Sequence, residues 1–129
     1  MKERLSLLLL GICLAPTVAL AHHSFAAEFD VYKTVKLQGK VTRVEWANPH
    51  VWIVIDGKDE KGLEGQWRCE ANSTPILRRL GWTKDTLKPG DPIVIEGFRA
   101  RNGTNACNAR IVTGAEGKRL LAGSAVATP

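Results

Sequence analysis

Val35–Asp56, VKLQGKVTRVEWANPHVWIVID, carries the strongest fold signal in the chain. Its first half alternates. Val35, Leu37 and Val41 share one parity, whereas Val44 and Trp46 take the other. A strand keeps one face only while its period of two is unbroken, so this phase change predicts a bulge or sharp coil, with Gly39 inside the run. Ala47-Asn48-Pro49 is a turn signal. His50–Asp56 (HVWIVID) is dense in β-branched and aromatic residues and predicts a second strand, buried on both faces for part of its length.

The glycine-bounded, charged run 57–62 predicts a hairpin loop, and Leu63–Glu70 a third strand with Leu63, Trp67 and Cys69 on one face. Ser73-Thr74-Pro75 opens a short helix by a hydroxyl cap and a first-turn proline, and Gly81 stops it. Lys88-Pro89-Gly90-Asp91 fits a type II turn. Ile93–Phe98 is a fourth strand, Asn102-Gly103 a tight turn, and Ala106–Thr113 a fifth strand with Cys107, Ala109 and Ile111 inward and Asn108 and Arg110 outward. Residues 114–121 add a final strand. Five strands with one small helix between the third and fourth is the plan of an all-β, OB-like five-stranded β-barrel; a small open β-sandwich is the alternative.

The 129 residues allow one domain. Lys2 and Arg4, the apolar run Leu5–Leu14 and the small-x-small Ala19-Leu20-Ala21 together read as a signal peptide over 1–21. The run is too short to span a bilayer, which needs about 20 residues. Ile12 before Cys13 does not suit lipoprotein processing. The organisation expected is a signal peptide (1–21), an extended lead-in (22–34), the barrel (35–121) and a flexible tail (122–129). The expected location is the periplasm, where Cys69 and Cys107 can form a lasting disulfide. A redox or metal thiol pair is the other reading of these cysteines, although no CxxC is present.

The pieces His22-His23-Ser24-Phe25, GKVTRVEWANPHVWIVID, LRRLGWTKDTLKPGD and ARNGTNACNAR together resemble a family of small exported bacterial domains of unknown function. The resemblance covers nearly the whole mature chain. It implies export and a single domain, and it carries over no catalytic residue.

Histidine placement is the sharpest chemical feature. Cleavage after Ala21 makes His22 the mature N-terminus, able to chelate one metal through its α-amine and its imidazole. A third nitrogen completes a T-shaped histidine brace suited to Cu(II). His50 is the candidate third ligand; His23 suits it less, because neighbouring side chains diverge in an extended segment. The plain alternative is a solvated terminus and a His50 hydrogen-bonded within the barrel wall. Trp46 and Trp52 flank the Asn48-Pro49-His50 turn, which makes Trp46, Trp52 and Asn48 candidate ligand-binding residues, with core and rim packing as the other reading.

Lys and Arg outnumber Asp and Glu by 18 to 13. Arg78, Arg79, Lys84, Lys88, Arg99, Arg101 and Arg110 cluster in the second half. Export argues against a nucleic-acid partner and leaves anionic envelope surfaces or surface solvation. The carboxylates show no catalytic pairing, and GxSxG, HExxH and phosphate-loop motifs are absent. The chain therefore reads as a barrel binding a small ligand or envelope protein, with copper as the candidate ion. Alternatives are a copper-dependent oxidoreductase and a structural envelope module.

Overall fold

A computed structural model describes residues 25–123. The expected signal peptide, His22 and His23, and most of the expected tail lie outside the described residues. A helical turn α1 (residues 25–28) leads into β1 (Phe29–Glu45), followed by β2 (Trp52–Asp59), β3 (Glu64–Glu70), α2 (Thr74–Arg79), β4 (Pro92–Ala100), β5 (Ala106–Thr113) and β6 (Arg119–Leu121).

The sheet order is β3-β2-β1-β4-β5-β6, and a further parallel β3–β5 pairing closes β1–β5 into a ring. The fold is thus an all-β, OB-like barrel with a small helix insert, and β6 extends the later half of β5. Long β1 makes closure possible: residues 29–40 pair with β4 and residues 37–45 with β2, so one strand serves both sides of the barrel.

The predicted phase break occurs as a register shift between Val41 and Arg43. Beside it Gly39 stands opposite Gly57. A Cβ on Gly39 would run into the Asp56 carbonyl, so the strands approach more closely there than any side chain permits.

The interior holds Leu37, Val41, Ile53, Ile55, Trp67 and Ile95, all essentially sealed from water. Around α2, Leu77, Trp82 and Leu87 turn inward and close one end of the barrel, and the Trp82 indole N–H donates to the Leu121 carbonyl at 2.8 Å. Elsewhere Asp59 accepts from the Lys61 and Leu63 backbone N–H groups and pairs with Arg99 at 3.0 Å, with the guanidinium 4.9 Å from the centre of the Trp67 ring.

Several details differ from the expectations. β1 starts at Phe29 instead of Val35, so much of the expected lead-in is strand, anchored by a small cluster of Phe29, Phe98 and Ala100 with Phe25 packed on it. Leu63 belongs to the hairpin loop and is 47% exposed. In β5 the interior residue is Val112 instead of Ile111, because a register shift between Glu96 and Gly97 leaves Arg110 unpaired with β4. Ser73 occupies the N-cap of α2 but makes no side-chain cap bond. Asn48 Oδ1 satisfies the Thr74 N–H instead, at 3.0 Å.

Candidate functional site

The disulfide fixes the geometry of one wall. Cys69 and Cys107 are partners in the parallel β3–β5 pair, with Cα atoms 4.5 Å apart, and they form the expected disulfide inside the barrel. Strand alternation then turns the next residues, Glu70 and Asn108, to the outside. Across the ladders the outer row runs Trp52–Glu70–Asn108–Phe98, each residue paired with the next.

This outer wall is not bare. Phe25 lies on it, with ring centroids 6.3 Å from Phe98 and 5.6 Å from Phe29. Glu70 is only 6% exposed although it faces outward.

Glu70 receives His50. The imidazole Nδ1 lies 2.8 Å from Glu70 Oε1. The carboxylate is buried and His50 is about half exposed. Burial pushes the Glu70 proton affinity above the usual carboxylate range; His50 opposes that rise, and the nearby Glu28 adds to it. In the neutral imidazole this contact puts the N–H on Nδ1, facing the Glu70 oxygen, and leaves the lone pair on Nε2. A carboxylate holding one imidazole nitrogen so that the other can bind a metal is a recurrent support for metal-ligating histidines.

α1 is tied down close by. The Arg101 backbone N–H donates to the Glu28 carbonyl at 2.8 Å, and its Nε donates to the Ala26 carbonyl at 2.7 Å and the Phe29 carbonyl at 3.1 Å. Its guanidinium also pairs with Asp30 at 3.7 Å. Arg101, from the β4–β5 turn, therefore anchors the start of the described chain onto the wall that carries Glu70 and His50.

The other candidates separate. Trp52 shares this wall, two residues from His50, and one ring face is covered by Arg68, whose Cζ lies 3.8 Å from the ring centroid. Arg68 in turn pairs with Glu45, which also holds Arg43. Trp46 packs half-buried against the core. Asn48 spends its side-chain oxygen on the start of α2, accepting from both Thr74 N and Oγ1. Of the expected cation cluster, Arg99, Arg101 and Arg110 are engaged with Asp59, α1 and the Phe98 ring respectively. Only Arg78, Arg79, Lys84 and Lys88 stand together around α2.

Among the described residues no three His, Cys, Asp or Glu side chains converge as metal ligands. Among the described residues His50 has Glu70 beside it and no second metal-ligating side chain completes a cluster with them. Sequence reasoning gave Glu70 and Glu28 no part in the site and placed Arg101 only in the basic cluster. Glu70 was detectable: a β2–β3 hairpin centred on Lys61 places Glu70 opposite Trp52, one pleat from His50.

Among the described residues no helix is long and apolar enough to cross a membrane. No match was found among curated proteins or among solved structures. A protein family does match, over residues 11–109, and the chain belongs to it: the family of unknown function DUF6152.

Proposed function

We propose that this domain is an exported, periplasmic copper-binding β-barrel, in which His22, as the mature N-terminal residue, and His50 share one Cu(II) ion. The observation that carries the reading is the His50–Glu70 contact. It leaves Nε2 as the outward-facing donor on a ring held by a buried carboxylate. The α-amine and imidazole of His22 supply two more nitrogens, a set that favours Cu(II) in a tetragonal arrangement. His22 is three positions before the anchored Phe25, a reach of about 10 Å when extended. His23 lies within the same reach and is the reserve nitrogen. Trp52, beside the site, is the residue against which a small ligand would rest.

The test is Cu(II) titration of exported protein whose N-terminus is verified by intact mass, followed by electron paramagnetic resonance. One copper per chain with a nitrogen-rich signal, lost in His50→Ala and in His22→Ala, supports the reading. Binding indifferent to His50→Ala overturns it. Oxidant-dependent turnover by the copper-loaded protein would move it from carriage to oxidoreductase chemistry. If copper does not bind, an envelope module is the reading to pursue.

A further inference from the structure

The four cations around α2 are not absorbed by the copper reading. Leu77, Trp82 and Leu87 are buried beneath the segment 74–91, so its other side forms one outward surface capping an end of the barrel. That surface carries Arg78, Arg79, Lys84 and Lys88. None of the four forms an ion pair among the described residues, whereas Arg43, Arg68, Arg99, Arg101 and Arg119 all do. Two acidic residues share the segment: Asp85, and Asp91, whose carboxylate accepts the Lys88 backbone N–H. The segment is thus +2, half of the +4 carried by the described residues, in 18 of 99 positions. Among these cations Ile76 and Leu80, one helical turn apart, are 41% and 36% exposed.

We infer that this cap is a docking surface for an anionic lipid bilayer. Unpaired cations attract acidic headgroups, each contributing about fivefold in affinity near the surface. The exposed aliphatic pair in their midst reaches the acyl boundary, as on interfacial helices. A soluble polyanion would use the cations and gain nothing from Ile76 and Leu80, so the mixed surface selects a bilayer.

The experiment is vesicle flotation of exported protein, verified by mass to begin at His22, with phosphatidylglycerol-containing and pure phosphatidylcholine vesicles. Flotation with the first and not the second is expected. Arg78→Glu/Arg79→Glu lowers binding at least tenfold, and Ile76→Ser/Leu80→Ser lowers it severalfold at unchanged charge. Lys36→Glu/Lys40→Glu, an equal charge change on exposed β1 positions, leaves binding within about twofold. All six positions are exposed, and near-ultraviolet circular dichroism checks the fold. Wild-type protein that does not float overturns the inference. So does equal loss in both charge variants, or binding that Ile76→Ser/Leu80→Ser leaves unaltered and that heparin matches.

Discussion

Reducing the Cys69–Cys107 bond without changing any residue is the cleanest perturbation this fold offers. Both sulfurs are buried, and the bond joins positions 38 residues apart. In the chain-entropy model, opening a loop of that length in the unfolded ensemble costs the native state about 4 kcal/mol. A domain of this size has a total of about 5–15 kcal/mol, so reduction removes a large share. The β3–β5 seam spans only three residue pairs, and the disulfide is at its middle. Urea unfolding of oxidised and fully reduced wild-type protein measures the loss. With a slope of about 1.5 kcal/mol per molar, the midpoint falls by about 2.5 M. Reduced wild type keeps both sulfurs, so no cavity term enters; Cys69→Ala/Cys107→Ala should cost more by that term. A loss below about 1 kcal/mol at unchanged slope would mean that the seam holds without its cross-link, against this expectation.

Glu70→Gln keeps an acceptor for His50 Nδ1 and removes a buried charge, so folding stability at neutral pH should hold or rise in urea unfolding, while copper affinity falls about tenfold or more as for other supporting-shell changes. Arg101→Ala should free α1, read as faster amide exchange over residues 25–30, with copper binding weakened and the barrel's exchange protection unchanged. The Leu63 N–H bond, with help from Arg99, holds Asp59 below the ordinary carboxylate range. Asp59 therefore contributes stability above its unfolded pKa near 3.8, and this is lost as pH falls through that value toward the lower folded one. Asp59→Asn should flatten that acid limb in a pH series of unfolding midpoints. The buried Trp67 Nε1 has no hydrogen-bond partner among the described residues. Trp67→Phe should thus cost at most about 1–2 kcal/mol, against about 3–5 kcal/mol for Trp67→Ala, since only the latter empties the site.

The barrel was legible because its signals are local. The parity break at Val41–Val44 became the observed bulge, the Lys88–Asp91 turn has its glycine at φ 92°, and the helix falls between the third and fourth strands. The errors are also local in cause. Ile111 reads as an inward residue until one residue slips out of register at Arg110, which flips every later side chain. β1 began earlier than its periodicity because Phe29 and Val31 serve a second, outer cluster instead of the main core. The site was legible only in its histidine. The residues next to His50 do not show that Glu70, twenty positions on, meets it; that follows from the register of the β2–β3 hairpin, whereas Arg101 meets α1 only once β4 lies against β1 in the closed ring.

That closure links redox state to the candidate metal site. Cys69 and Glu70 are consecutive, one directed inward to the disulfide and the other outward to His50. The same three-residue seam therefore holds the cross-link and the imidazole's support. Loosening it by reduction should be felt at His50 before the barrel unfolds. Free thiols bind and reduce Cu(II), so the seam is best loosened for this test by Cys69→Ala/Cys107→Ala. Copper binding by that variant, measured in conditions where the fold persists, should weaken by at least the tenfold expected for Glu70→Gln, and the two effects should not add, since both act through one contact. If loss of the cross-link leaves copper affinity intact, Glu70 holds its place without the seam and the link is broken. If the two losses multiply, loss of the cross-link reaches the metal by some route other than Glu70.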